Sequence, residues 1–265
     1  MMRRSGLVAA LLLVGCVNLE DPAPSQTTQL VVHGILDTQS SRQTVLVYRA
    51  RTGLPSAVED DGISEDEPIA NAQVSITDPD GTTWFAGRFL TQSGECCIPG
   101  IYIFPRSPTG GLLVTPGGTY TLRIRTPAGE EVTGTTTVPR AAPVATDSPI
   151  IFFPRQDTLR LDWPRVPGAA SYEVLIQLSR FNNEYRAFAD SSFTLAGTAL
   201  TIAGDEIFSS GDDAVVVVSA VDANYYDYYR SQSDPFAGAA PSHLTGAMGV
   251  FGSIEPILQM QLRIR

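Results

Sequence analysis

Lysine is absent from the 265 residues, and all 18 basic residues are arginine. No lysine Schiff base, lysine-held cofactor or phosphate-loop lysine can therefore form. Histidine is nearly absent too: His33 and His243 are the only two. A histidine-rich metal site is excluded, and a Ser-His-Asp arrangement could draw on only one of them. Positive charge is scarce against 28 acidic residues, which leaves a formal net charge of −10. Such a chain suits neither nucleic acid nor electrostatic docking to anionic lipid. No apolar run is long enough to span a bilayer, and no long stretch repeats apolar residues at helical spacing. No cofactor is expected.

What is present at the start is Met1-Met2-Arg3-Arg4, an apolar run from Gly6 to Gly15, and then Cys16. Two arginines before a short apolar run have the layout of a secretory signal over residues 1–15. Leu13-Val14-Gly15-Cys16 resembles the bacterial lipobox. The resemblance implies diacylation of the Cys16 thiol, cleavage after Gly15 and acylation of the new amino terminus. Several acyl chains make a durable membrane anchor. Residues 16–27 are rich in Pro, Ser and acids and read as a tether. By the Gram-negative sorting rule, Val17 after the cysteine resembles an outer-membrane lipoprotein. The expected location is the outer membrane of the cell envelope, on its periplasmic or its surface face. The signal takes two arginines and no acid with it, so the mature chain carries a charge near −12.

The other cysteines, Cys96 and Cys97, are neighbours. Sequential Cα atoms lie about 3.8 Å apart, below the usual disulfide span of about 4.4–6.8 Å. A vicinal disulfide here would be strained and would need a turn, which Pro99-Gly100 supplies. A structural pair in a loop is the plainer reading. Upstream, Glu59 to Glu67 packs six acids into nine residues. The EF-hand order of ligands is missing, so a solvated loop is expected. Asp60, Asp61, Glu65, Asp66 and Glu67 remain a weak calcium candidate.

Gly and Pro recur, 23 and 19 times, between short β-branched and aromatic runs, the pattern of antiparallel sandwiches. The expected fold class is all-β: two consecutive antiparallel β-sandwiches after a signal peptide and a flexible tether. The first spans 28–139, with strands at 30–36, 43–49, 72–77, 82–85, 100–104, 119–125 and 131–138. A linker covers 140–148. The second sandwich spans 149–265, with strands at 158–163, 213–222, 246–253 and 257–264. The string from Ile69 to Phe85, with Pro116-Gly117-Gly118-Thr119-Tyr120 and Glu130 to Val138, resembles the transthyretin-like or carboxypeptidase-regulatory sandwich, a class that is usually non-catalytic. Leu159 to Leu178 resembles the B–C hairpin of a fibronectin type III domain. That resemblance implies that Trp163 and Tyr172 are core residues.

Tyr225, Tyr226, Tyr228 and Tyr229 fall in five positions after the strand at 213–222. On a strand neighbours alternate, so some rings would be exposed and, with Phe236, would form a surface for protein or glycan. The alternative is that they cap the sandwich end. The glycine-rich stretch Gly246 to Ser253 is no phosphate loop, because no lysine follows it. Its glycines are expected at bulges or close backbone approaches. No serine lies in a Gly-x-Ser-x-Gly elbow.

Taken together, Val31-Val32-His33-Gly34-Ile35-Leu36, Pro68 to Gly81, the Asn224-Tyr225-Tyr226 string and Gly249-Val250-Phe251-Gly252-Ser253 resemble an uncharacterised envelope lipoprotein family over roughly 28–253. The resemblance implies no catalytic residues and a frequent association with TonB-dependent outer-membrane receptors. The leading expectation is a non-enzymatic accessory or binding lipoprotein, held to the membrane by its anchor and partnering such a receptor. A glycan-binding or adhesive role through the tyrosines is the second reading. A hydrolase built on His243 is the third, and it needs a Ser or Asp in hydrogen-bond reach within a concave pocket.

Overall fold

Alternating segments become strands here because every second side chain has an apolar layer to enter. In β7 (Thr119–Arg125) and β8 (Glu131–Thr137) buried and exposed residues alternate: Tyr120, Leu122 and Ile124 face inward from one, Val132, Gly134 and Thr136 from the other. Gly129 closes their hairpin at φ +87°, a left-handed conformation that glycine adopts without strain. Between β4 (Gln73–Thr77) and β5 (Thr83–Phe85), Asp78 builds the turn. It accepts from the backbone N–H groups of Asp80 and Thr82 and from the Trp84 indole.

The computed structural model describes residues 27–52, 67–87, 98–105, 111–141, 149–178, 183–189, 199–203, 208, 211, 213–233 and 242–265. Cys16, Cys96, Cys97, Asp60, Asp61, Glu65, Asp66 and Phe236 lie outside them. The remaining strands are β1 (Thr27–Asp37), β2 (Arg42–Thr52), β3 (Glu67–Pro68), β6 (Ile101–Pro105), β9 (Ile150–Phe152), β10 (Thr158–Asp162), β11 (Ser171–Leu178), β12 (Asn183–Ala189), β13 (Ala199–Ala203), β14 (Asp213–Val221), β15 (Leu244–Thr245) and β16 (Met248–Ile264). One α-helix, α1 (Ala223–Ser233), stands among them. Among the described residues the fold is all-β apart from this helix. No helix of the described residues is long and apolar enough to cross a membrane.

The described residues build three sheets. A nine-stranded sheet runs β12-β11-β14-β16-β1-β2-β3, with β6 on β2 and β9 on β16. A five-stranded sheet, β15-β8-β7-β4-β5, covers one half of it, and the pair β10-β13 covers the other. Two apolar cores result. The first gathers Val32, Val45, Ile76, Phe104, Tyr120, Leu122 and Phe251. The second gathers Leu161, Trp163, Tyr172, Val174, Val216, Val218 and Ile257. Trp163 and Tyr172 are core residues, as the fibronectin-like string implies, with ring centroids 5.5 Å apart. The Tyr172 hydroxyl accepts from the Val166 N–H.

The carboxyl-terminal stretch departs from the expectation of two strands in the second sandwich. β16 is one strand of 17 residues, roughly 55 Å at strand rise. Its first part pairs in parallel with β1, from Val31↔Met248 to Asp37↔Ile254. Its second part pairs antiparallel with β14. Leu244–Thr245 meanwhile joins β8. Residues 244–253, sequentially in the second block, thus complete the first core. The expected break between 253 and 257 is a register shift instead: Pro256 stands opposite Ser219 where the ladder slips. Proline lacks an N–H to give the ladder and is tolerated at such irregularities. Ala220 of the second core pairs with Glu255, four residues along from Phe251 of the first. Paired side chains share a face, so both cores press on the same face of the long sheet.

Candidate functional site

The densest gathering of polar side chains among the described residues lies where β14 ends and α1 begins. Asp222 is the N-cap of the helix. Its Oδ1 accepts from the N–H of Tyr225 and the N–H of Ser253, both at 3.0 Å. Its Oδ2 accepts from the Thr136 hydroxyl at 2.7 Å. A side-chain oxygen at this position satisfies an amide that has no partner inside the helix. Thr136 also bonds the Ser253 hydroxyl at 2.9 Å. Burial raises the pKa of Asp222 above the ordinary carboxylate value, and these donors oppose the rise. Next along, the Asn224 amide donates to the carbonyls of Thr135 and Phe251. One helix start therefore holds β8, β14 and β16 together.

The tyrosines sit on this helix, not on a strand end. That corrects the alternation expected of them. Positions 225, 228 and 229 are related by three and four residues and share one helical face. Tyr225 is 4% exposed and donates its hydroxyl to Glu173, itself buried, at 2.8 Å. Tyr229 hydrogen-bonds His33 Nε2 at 3.0 Å. The rings of Tyr225 and Tyr229 lie 4.4 Å apart, and Tyr228 meets both Tyr229 and His33 edge-on. Burial lowers the pKa of His33, which favours the neutral ring. Tyr226, Tyr228 and Tyr229 are half-buried. Tyr226 carries Arg230, one turn on, over its ring at 5.6 Å. Tyr225 is thus closed off, whereas Tyr226, Tyr228 and Tyr229 keep part of their surface open, and Phe236, the fifth residue of the expected surface, lies outside the described residues.

The glycine-rich stretch explains the helix's seat, and its glycines do mark close approaches. A Cβ on Gly252 would stand 2.9 Å from the Tyr225 nitrogen. Gly249 has φ +105°, and a Cβ there would run into the Val32 carbonyl of β1.

His243 hydrogen-bonds Asp227 of α1 at 2.9 Å. The side chains are 39% and 37% exposed. Among the described residues no serine hydroxyl bonds the ring. The adjacent Ser242 bonds the Ala247 carbonyl and accepts from the Leu244 N–H. A pocket of about 420 Å³ lies elsewhere, between Pro149, Gln177, Glu184, Asp213 and Arg263. His243 thus has an acid but neither a nucleophile nor that cavity, and the pair reads as a helix clasp. Of the calcium candidates only Glu67 is described. It is exposed on β3, in register with Arg49.

Sequence reasoning missed Asp222, Thr136, Ser253, Asn224 and Glu173. A signal existed: Asp before Ala223, with aromatic residues following at helical spacing, is a helix start.

The model of the family described as a domain of unknown function (DUF4249) matches residues 18–256. The chain belongs to this family. No curated protein matches it. Among solved structures, the chicken CNTN1 FN1-FN3 domains are similar at 11% identity and a TM-score of 0.27, over 89% of this chain and 67% of that one. A two fibronectin type III domain segment from chicken tenascin is similar at 13% identity and a TM-score of 0.22, over 74% of this chain and 92% of that one.

Proposed function

We propose that this member of the DUF4249 family is a non-enzymatic, lipid-anchored binding protein of the bacterial outer envelope, serving a TonB-dependent receptor that itself lies in the membrane. The observation that carries the reading is Leu13-Val14-Gly15-Cys16 behind a charged start and a short apolar run. Triple acylation at Cys16 holds the chain at a bilayer surface. The polar groups at the helix seam support a binding role over catalysis, because they are spent on one another. Asp222, Thr136, Ser253, Asn224, Tyr225 and Glu173 bond within the fold. Two sandwich lobes sharing one strand make a stiff body on a short tether, suited to presenting a fixed surface to a neighbour in the same membrane.

Two measurements test this. In a bacterial host fed an alkyne fatty acid, the wild-type chain takes up label and sediments with membranes. Cys16→Ser loses the label and becomes soluble. An unlabelled wild-type chain refutes the anchor. Crosslinking in the native membrane, followed by mild detergent extraction, is expected to recover a β-barrel receptor. A chain that elutes alone after crosslinking refutes the partner.

A further inference from the structure

The outer face of the five-stranded sheet carries several polar side chains that make no bond with the described residues. Its register lays two rows of side chains across that face, since paired residues point the same way. Phe85, Ser75, Arg123 and Thr133 stand side by side on β5, β4, β7 and β8. Gln73, Arg125 and Glu131 form the next row. Their chain neighbours Val74, Ile124 and Val132 point the other way, into the first core.

Two features set this face apart. Phe85 is 71% exposed, the most open of the large apolar side chains among the described residues. A lone exposed ring needs no explanation, but this one overlooks a groove of about 300 Å³. Arg123 and Arg125 line the same groove, and both are exposed. Neither guanidinium makes an ion pair or a hydrogen bond with the described residues. That is notable in a chain with 28 acids to 18 arginines. Arg125 even stands opposite Glu131 in the ladder without pairing with it.

The groove follows from side-chain size. Arg123 lies two strands from Phe85, about 10 Å across the sheet, and Arg125 lies about 7 Å farther along β7. Small Ser75 stands between, so the floor is low while the ring and the guanidiniums rise on either side. The Ser75 hydroxyl reaches the Arg123 carbonyl only at 3.5 Å. The volume is at the lower end for small-ligand sites.

We propose that this groove binds an acidic saccharide, one whose ring bears a carboxylate. Phe85 offers a flat apolar surface to the C–H face of a sugar ring. Arg123 and Arg125 receive the carboxylate, which a guanidinium holds through two parallel hydrogen bonds. Gln73, Ser75, Glu131 and Thr133 surround them with donors and acceptors for hydroxyl groups. A peptide suits the groove less. β4 and β7 are paired on both sides, so the face offers side-chain groups only, and a peptide's own amides would go unmet. An inorganic anion has no use for the ring, and the chain's net negative charge opposes nucleic acid.

The test is binding of the full-length chain, in mild detergent, to an array of uronic-acid oligosaccharides beside their neutral, carboxyl-reduced counterparts. Calorimetry on the tightest binder follows, with poly-glutamate as the peptide arm. Lipid and receptor take no part in the assay, so its outcome is separate from that of the membrane reading above. Wild type is expected to bind acidic members and to bind their reduced forms about tenfold or more weakly, the weight of a charge-assisted hydrogen bond. Phe85→Ala, and Arg123→Gln with Arg125→Gln, are each expected to weaken binding about tenfold while the unfolding temperature stays at the wild-type value. Arg160→Gln, an exposed arginine of the second lobe, is expected to change nothing. Four results overturn the proposal: no acidic member bound, binding indifferent to the carboxyl group, equal capture of poly-glutamate, or affinity retained in Phe85→Ala or in the double arginine variant.

Discussion

Asp222 does three things with one carboxylate: it caps α1, receives the Ser253 amide of β16 and receives the Thr136 hydroxyl of β8. Asp222→Ala would strip the cap, worth about 1 kcal/mol, and leave buried donors unmet, at about 1–3 kcal/mol. A loss of about 2–4 kcal/mol in equilibrium urea unfolding is expected, with Asp222→Asn milder because one oxygen remains. Arg49 and Glu130 show the opposite electrostatics at the surface. The guanidinium grips both carboxylate oxygens, at 3.0 and 2.7 Å. Foremost through that bond, Arg49 holds the Glu130 pKa below its ordinary value. A depressed folded pKa contributes stability above the unfolded pKa, and this is lost as pH falls through the folded one. Glu130→Gln is therefore expected to flatten the acid side of a stability-versus-pH curve. With the Glu130 side chain 36% exposed, solvent screening keeps the effect below about 1 kcal/mol.

At the scale of elements, strands were legible and their couplings were not. Val74-Ser75-Ile76 and Tyr120 to Ile124 announce themselves by period two, and the structure has strands there. The helix hides because its inward tyrosines are polar-tipped and its mean hydropathy is low, so no apolar stripe marks it. Pro256 reads as a strand break, yet a slipped ladder absorbs it. Buried acids such as Glu255 and Glu173 cannot be told from solvated ones by sequence, since burial depends on what crosses over them. The glycine stretch gave a correct hint without naming its partners. Gly249→Ala combines a disallowed φ with a collision against β1, and a loss of more than about 3 kcal/mol, or failure to fold, is expected. Gly252→Ala should act locally, loosening α1. Faster amide exchange in 223–233 than at Val32 or Val45 would report that.

For the whole molecule, shared β16 sets the expected cooperativity. Residues 17–148 alone would lack Leu244–Thr245 and Met248–Ser253, and with them Phe251 from the first core. That fragment is expected to show no cooperative thermal transition, whereas the whole chain unfolds in one. A folded fragment, seen by dispersed amide resonances, would count against a shared core. The proposed leader and anchor residue lie outside the described residues.

The parallel pairing of Val31 with Met248 also carries a consequence in time. β1 is made among the first segments of the chain and must wait for nearly the last before its outer edge is covered. Contacts so distant in sequence are slow to form, because a long loop must close before they repay it. Until then β1 presents an open ladder of N–H and C=O groups, a template for pairing with other chains. Folding of this protein is thus expected to be post-synthetic and slow, with aggregation competing through a strand at its beginning.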